Sequence, residues 1–350
     1  MSDRRLPPAA SRGMTLVELM VGVTIGLFLV AVTGAVYSGS KSTFVAQESS
    51  ARIQENGRFA MDTIATDLRM SGFRGCIGGS AALTNTLNSA ATLPYDFAQP
   101  IWGSRRMGLN WSPALQAPLL TLPVSGDGDV LVVRRPYGKA WSLVGQMADA
   151  SAPLPISPTG QFQKGDLLVV ADCAAATVLQ ATNGTPGVSG SIAHTAGAAG
   201  LAPGVATANL GRVYANDAVV WRMQTVMYYL AQSARHSGQM ALWSYATPAY
   251  DGAAQANELV TGVERMGLTL GVDTDGDAAA DRFVSPDAVA NWTQVVNARI
   301  ELVLVGGISD GSNVASSAQP YVFDGTTITP TDKRVRTVMS ALVSLRNLVP

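Results

Sequence analysis

An uncharged run of 22 residues near the N-terminus, residues 19–40, constrains this chain more than any other feature. At about 1.5 Å of rise per residue, about 20 apolar helical residues cross the hydrocarbon core of a bilayer. The apolar core of a signal peptide is shorter, at ~7–15 residues. Residues 1–13 contain three arginines and one aspartate, and this positive balance predicts that the N-terminal tip stays cytoplasmic. The sequence therefore predicts one membrane-spanning helix, with the rest of the chain outside the cytoplasm.

Composition bounds what the remaining residues can do. The 350 residues carry 24 Lys and Arg against 25 Asp and Glu, for a net charge of −1. Because no positive excess is present to neutralise phosphates, we expect no nucleic acid as a partner. Hydrophobic residues make up 47% of the chain, which is enough for a buried core. The 2 Cys and 2 His are too few for a four-Cys zinc site or a His-rich metal site.

One carboxylate, Glu18, stands at the entrance of the apolar run. A carboxylate that enters lipid without a partner costs on the order of 2–4 kcal/mol. Under one interpretation, Glu18 reaches the headgroups and interacts favourably with the helix N-terminal dipole. Under the other, it receives a positive partner from a neighbouring chain.

The residues around Glu18 carry a family resemblance. Residues 13–19 read GMTLVEL, and together with the short basic leader they resemble the processing site of type IV pilins and pseudopilins. The resemblance implies cleavage after Gly13 by prepilin peptidase and N-methylation of Met14. It also implies that Glu18 pairs with the N-terminal amine of an adjacent subunit. Met14 replaces the Phe more often found in the family, which bears on the efficiency of processing.

Two glycines in the apolar run, Gly22 and Gly26, form a small-xxx-small pair. Such pairs let helices approach closely in lipid, although glycine is also simply common in membrane helices. Either interpretation is compatible with packing inside a helical filament core.

The helical pattern continues beyond the apolar run. Proline is absent between Met14 and Arg74, so a single helix is predicted over about 15–71. Its second half carries an apolar stripe that would pack on a sheet, while charged residues, Asp67 among them, mostly lie off the stripe. Residues 54–76 resemble the corresponding block of PilW-type minor pilins. The predicted domains are 1–13 (leader), 14–40 (membrane and filament-core helix), 41–75 (amphipathic helix) and 76–350 (extracytoplasmic β-rich domain).

The remainder of the chain shows β patterning. Alternating or continuous apolar runs predict strands at 129–135, 167–171, 176–180, 218–230, 240–245, 262–272, 295–305 and 334–345. Consecutive strands after one helix indicate an α+β, pilin-like fold, in which a long N-terminal hydrophobic helix packs on an antiparallel sheet. The small basic runs and the two histidines are candidates for binding or catalysis, but they are interpreted as solvated surface residues. They are Arg134, Arg135, Lys333, Arg334, Arg336, His194 and His236.

The two cysteines are predicted to form a disulfide. Cys76 ends the helical block and Cys173 follows a predicted strand, both in the part of the chain placed outside the cytoplasm. The alternative is two buried free thiols.

An acidic segment is the one candidate metal site. Asp273, Asp275, Asp277 and Asp281 occupy relative positions 1, 3, 5 and 9, a spacing that resembles the calcium loops of thrombospondin type 3 repeats. Ala278 stands where those loops usually have glycine. The alternatives are a calcium (Ca2+) site and a solvated hairpin tip.

Function is predicted to be structural and not enzymatic. The sequence contains no Walker A, G-x-S-x-G or H-E-x-x-H motif. The resemblance implies a minor pilin in pilus assembly that primes the filament and sits at its tip, serving adhesion and twitching motility. Its implied partners are other minor pilins, the major pilin, a tip adhesin and the peptidase, first in the inner membrane with a periplasmic domain and then in the pilus at the cell surface. The alternatives are a minor pseudopilin of type II secretion and a pilin-anchored, calcium-dependent binding domain.

Overall fold

A computed structural model of the chain describes residues 13–77, 83–158, 160–186, 188–306, 318–332 and 334–348. The chain divides into two compact units, Met1–Ala51 and Arg52–Pro350. Apart from Gly13, the predicted leader lies outside the described residues, as does Lys333.

One helix, α1, runs from Leu16 to Met70, close to the predicted 15–71. By length and composition it is long and apolar enough to cross a membrane. Gly72 follows its C-terminus with a φ of +68°, a conformation that glycine adopts without strain and that commonly ends helices.

In the second unit, α1 buries one apolar stripe, as the helical spacing predicts. Gly57 lies on this stripe, where a Cβ would stand 2.3 Å from Met339 Sδ and 3.2 Å from Leu304 Cδ1. Glycine therefore lets the helix approach the neighbouring strands closely. The buried apolar residues of the stripe are Ile53, Ala60, Met61, Ile64, Ala65 and Leu68.

The strands of the described residues lie in four sheets. Their bounds are β1 Leu83–Asn85, β2 Ile101–Met107, β3 Asn110–Ser112, β4 Val130–Ser142, β5 Leu154–Pro155, β6 Leu167–Ala171, β7 Ala176–Gln180, β8 Ser191–Ile192, β9 Val219–Gln232, β10 Met240–Thr247, β11 Ala256–Thr261, β12 Val263–Val272, β13 Arg282–Val284, β14 Val295–Val305, β15 Tyr321–Phe323, β16 Thr326–Ile328 and β17 Arg336–Ser344.

The largest sheet has nine strands, ordered β1-β7-β6-β9-β4-β2-β3, with β10 paired to β9 and β11 paired to β10. The second sheet has the order β13-β12-β14-β17, and β5–β8 and β15–β16 form two small ribbons. All pairings of named strands are antiparallel except β1 with β7. Residues of α1 and of both larger sheets share one apolar core. The α+β prediction of a long apolar helix followed by an antiparallel β-rich domain is therefore confirmed.

A buried polar contact joins α1 to the large sheet. The phenol of Tyr228 on β9 donates a hydrogen bond to Asp67 Oδ2 over 2.7 Å, and the Arg135 guanidinium on β4 forms an ion pair with Oδ1. Asp67 is 7% exposed, so the expectation that it lies off the packed stripe is wrong. Burial and the Asp67 charge raise the pKa of Tyr228 well above its usual value, which keeps the phenol a donor.

Replacing Asp67 by Ala is expected to lower the free energy of unfolding by about 3 kcal/mol, because the buried Tyr228 and the partly buried Arg135 would lose their shared partner. Asp62→Ala is the matched control, since Asp62 is exposed on the same helix. Urea unfolding of the detergent-solubilised full chain, followed by tryptophan fluorescence, measures both variants. Equal stability of the two would show that the contact contributes nothing.

The structure also corrects the interpretation of Arg134 as a solvated residue. Arg134 is 2% exposed, and its guanidinium donates to the carbonyls of Leu93 and Gln99. Burial lowers its pKa to about 10. Its backbone carbonyl accepts a hydrogen bond from Gly72 N, so Arg134 fastens the loop before β2 beside the end of α1.

The second basic run is paired in the same way. Arg336 has a side chain 7% exposed and forms ion pairs with Glu264 at 2.6 Å and Asp332. Arg334 reaches the same Glu264 at 3.4 Å. These arginines belong to the packing of the second sheet, since their charges are met by carboxylates of the same domain.

Candidate functional site

The predicted processing site lies immediately before α1. Gly13, Met14 and Thr15 are non-helical and exposed, and α1 begins at Leu16. A non-helical, exposed peptide at this position is open to a peptidase, whereas a helical peptide is held by its own hydrogen bonds. Cleavage after Gly13 and methylation of Met14 stay predictions.

Glu18 is held by a reciprocal cap at the start of the helix. Glu18 Oε2 accepts hydrogen bonds from Thr15 N and Thr15 Oγ1, both at 3.0 Å. Thr15 Oγ1 in turn accepts from Glu18 N at 3.3 Å. This Thr-x-x-Glu arrangement is a capping box, and it satisfies two backbone N–H groups at the helix start. The Thr-x-x-Glu spacing of Thr15 and Glu18 in the sequence is typical of a capping box, a local role that the family resemblance does not indicate.

The cap engages only one of the two carboxylate oxygens of Glu18. Both hydrogen bonds end on Oε2, and within the described residues Glu18 Oε1 accepts none. The dipole of α1 favours a negative charge at this end. The cap thus leaves one carboxylate oxygen of Glu18 without a hydrogen-bond partner among the described residues, at the start of an exposed apolar helix.

The helix surface beyond Glu18 is apolar and uncovered. Its side chains are exposed throughout the apolar run, and at Gly22 and Gly26 no atom lies within 4 Å of where a Cβ would stand. A surface of this kind requires lipid or other helices around it. The close-packing role of Gly22 and Gly26 stays a prediction. Large exposed residues include Leu16, Val17, Leu19, Ile25, Leu27, Phe28, Leu29 and Val30.

The two cysteines form the predicted disulfide. Cys76 and Cys173 are bonded, with their Cα atoms 5.0 Å apart and a sequence separation of 97. Both residues are exposed, which excludes the alternative of two buried thiols. The bond joins the segment after α1 to the turn between β6 and β7. Beside it, Asp172 accepts hydrogen bonds from Ala174 N and Ala175 N and fixes this turn.

The acidic segment forms the turn between β12 and β13. Carboxylate oxygens of Asp273, Asp275 and Asp281 lie within 4.8 Å of one another. Asp277 lies outside this group, and its carboxylate accepts a hydrogen bond from Ala279 N. Ala278 has a φ of +72°, the left-handed conformation for which related loops use glycine. The structure therefore brings together three of the four predicted acidic residues.

Electrostatics within the turn differ from one carboxylate to the next. The Gly276 amide lowers the pKa of Asp273, and the Thr274 hydroxyl lowers the pKa of Asp281. Asp275 accepts a hydrogen bond from the Asp277 amide, which lowers its pKa, but the surrounding negative charges outweigh it and raise the pKa. A divalent cation would relieve this repulsion.

The histidines show no metal or catalytic arrangement in the described residues. His194 is 2% exposed, with Nε2 2.9 Å from the Ala152 carbonyl oxygen, so the surface interpretation was wrong for this residue. Burial lowers its pKa and favours the neutral ring. His236 is exposed in the turn between β9 and β10.

Comparison with known proteins gives two family matches. Residues 227–347 match the family described as "Type IV Pilus-assembly protein W", and residues 8–34 match the "Prokaryotic N-terminal methylation motif". No curated protein matches the chain. Among solved structures, a type IV-like pilin from Thermus thermophilus aligns with a TM-score of 0.34 and 12% identity, over 85% of this chain and 99% of that one.

The two family matches fall on different parts of the chain. The first spans the C-terminal part of β9 and the strands that follow it, including the whole second sheet. The second spans Gly13, Glu18 and most of the apolar run. Together they confirm the resemblance seen in the sequence: the chain is similar to PilW-type type IV pilins over residues 227–347 and to the N-terminal methylation motif of prepilins over residues 8–34.

Proposed function

We propose that this pilin acts as a minor subunit that primes assembly of the pilus and sits at its tip. One observation carries the proposal: an uncovered apolar helix surface begins with a single outward-facing carboxylate, Glu18. Such a surface is built to be covered by similar helices that bring a positive charge. Other minor pilins, the major pilin and a tip adhesin are the partners we propose.

The mechanism is physical. The helix is first stored in the inner membrane, with the β-rich domain in the periplasm. Removal of the leader creates a positive amine at Met14, and the Glu18 carboxylate of one subunit pairs with the amine of its neighbour. In the pair, each charge is compensated by the other and not by water. The two charges can therefore stay in apolar surroundings while both helices leave lipid and pack together during extrusion. The β-rich domain stays outside this bundle.

Deletion of the gene tests the proposal. We expect surface pili to fall strongly while the major prepilin accumulates in the membrane, and complementation to restore pili. Gold labelling of the β-rich domain should mark pilus ends. Normal piliation with reduced protein secretion would support the pseudopilin alternative, and labelling along the shaft would contradict the tip position.

A calcium-dependent binding domain delivered by the pilin helix is the second candidate. The convergence of Asp273, Asp275 and Asp281 in one turn, and the repulsion that raises the pKa of Asp275, favour it. We propose calcium because hard divalent cations of this size bind clustered carboxylate oxygens.

Calcium is expected to stabilise the protein by about 2.7 kcal/mol at a concentration a hundredfold above its Kd. Thermal melts of the solubilised full chain with calcium and with chelator measure the effect. Asp275→Asn should abolish the response, whereas Asp287→Asn, outside the turn, should leave it unchanged. A melting temperature that does not respond to calcium or chelator would dismiss the site.

A further inference from the structure

The second sheet ends in a long strand whose outer edge has no partner among the described residues. Strand β17 has nine residues and pairs with β14 alone, without a register shift. Its sequence RTVMSALVS has no charge after Arg336 and no proline. Proteins usually protect exposed edges with lysine, proline, a bulge or a very short strand. β17 carries none of these after its first residue.

The other edges of the larger sheets are protected in these ways. Strands β1, β3 and β13 have three residues each, and β11 has six and contains Glu258. Strand β17 is therefore the long, uncharged edge in the described part of the chain.

The hydrogen bonds at the ends of β17 show which backbone groups face outward. Leu345 N donates to Val296 O, and Gly306 N donates to Val335 O, both at 2.9 Å. Hydrogen-bonded pairs alternate along an antiparallel ladder. The odd-numbered residues of β17 thus bond to β14, and Val338, Ser340 and Leu342 direct their N–H and C=O groups to the open edge.

Side chains in the C-terminal half of this edge are also exposed, whereas Arg336 at its start lies over the ring of Tyr321. Leu342 is 59% exposed, Ser340 and Ser344 are exposed, and Val338 is partly exposed. Met339 and Ala341 point to the opposite face, where they pack against the apolar core. An incoming strand would therefore find unpaired backbone groups together with an apolar side chain.

We propose that this edge pairs with β17 of a second copy of the chain. An antiparallel pair with its two-fold axis at Ser340 overlaps all nine residues and places each outward-facing residue opposite another outward-facing one. Val338 then faces Leu342 of the second copy, and Arg336 faces Ser344. The two four-stranded sheets become one sheet of eight strands, joined by an isologous interface.

Charge and size complementarity favour a second copy as the occupant. Because β17 carries no charge between Arg336 and Arg346, nothing in it repels an identical strand. The two Arg336 side chains lie at opposite ends of the pair, and each is already neutralised by Glu264 and Asp332. The large side chain of Leu342 meets the smaller Val338, which covers its exposed surface.

Cysteine cross-linking of the full chain in membranes tests the pairing. Both native cysteines are held in a disulfide, so an introduced cysteine is the only free thiol. In Ser340→Cys the two Cα atoms would lie about 5.5 Å apart across the axis. In the matched control Ser344→Cys they would lie roughly 27 Å apart, at about 3.4 Å of rise per residue. Both positions are exposed, so neither variant disturbs the core.

With a short bifunctional thiol reagent, Ser340→Cys is expected to form cross-linked dimer at least about tenfold faster than Ser344→Cys, because pairing raises the effective thiol concentration. Adding Leu342→Lys should remove this difference by placing charges on the edge. Equal rates for the two cysteine variants would overturn the proposal. A Ser340→Cys product whose mass matches a different subunit would also overturn it, since another chain would then occupy the edge.

Discussion

Glu18→Ala is expected to leave cleavage after Gly13 intact and to remove the protein almost completely from sheared pili. Cleavage occurs at a peptide that precedes the helix, whereas assembly uses the carboxylate. An unpaired charge in lipid costs about 3 kcal/mol, which corresponds to roughly a hundredfold in an equilibrium. Without Glu18, the positive amine of the neighbouring subunit would have no partner, and its burial would cost this free energy. Immunoblots of membrane and pilus fractions measure processing and incorporation separately.

Two further variants separate the charge of Glu18 from its capping role. Glu18→Gln keeps a side chain that can cap Thr15 N but has no charge, so we expect it to fail in assembly as Glu18→Ala does. Thr15→Ala keeps the charge and removes the cap hydroxyl, with a cost of about 1 kcal/mol, so incorporation should fall only slightly. Normal incorporation of Glu18→Gln would contradict the pairing of charges.

Cys76→Ser with Cys173→Ser is expected to lower the free energy of unfolding by up to about 4–5 kcal/mol. The bond closes a long loop, with a sequence separation of 97, and chain-entropy arguments assign large stabilisation to such loops. Urea unfolding of the solubilised full chain measures the change in the free energy of unfolding, and the steady-state amount of protein in the membrane fraction reports its consequence.

The single variants serve as controls for the disulfide. Cys76→Ser alone leaves one free thiol, so it should be as unstable as the double variant and should also form mixed disulfides on non-reducing gels. Reduction of the native protein should reproduce the loss of stability. If the double variant unfolded at the native urea concentration, the bond would have no stabilising role.

Local patterns in the sequence predict the helix and most long strands. The absence of proline and the apolar period place α1 within one residue of its observed ends. The continuous apolar run of β6, the short segment ATVLQ of β7 and the alternation in β14 predict these three strands with their observed bounds. Strands β6 and β7 are buried throughout, and β14 is buried mainly on one face. The hydrophobic pattern of the sequence predicts a strand correctly when burial follows one of these two patterns.

Elements whose stability comes from distant partners are missed. Strand β2 reads IWGSRRM, without a clear period, and it forms because its first four residues pair with β4. The parallel pairing of β1 with β7 likewise has no local signal. Strand β4 extends to Ser142 past its apolar core, because β9 continues beside it.

Buried polar residues are the second class that the sequence does not reveal. Asp67 and Arg135 resemble solvated charges in sequence, and only the packing of α1 on β4 and β9 makes them partners. Arg134 is buried by carbonyls of a loop with little pattern. The candidate sites could be predicted from the sequence, because their residues are close together in it. Thr15 and Glu18 interact within one helical turn, and the acidic residues lie in a single turn between two strands.

Mass spectrometry of the protein purified from membranes and pili tests the central claim most directly. We expect the purified chain to begin at Met14, with one methyl group on its amine and an intact Cys76–Cys173 bond. A protein that retains residues 1–13 without the methyl group would contradict this expectation, because the Met14 nitrogen would then remain in a peptide bond and could not meet Glu18 of a neighbouring subunit as a charged amine.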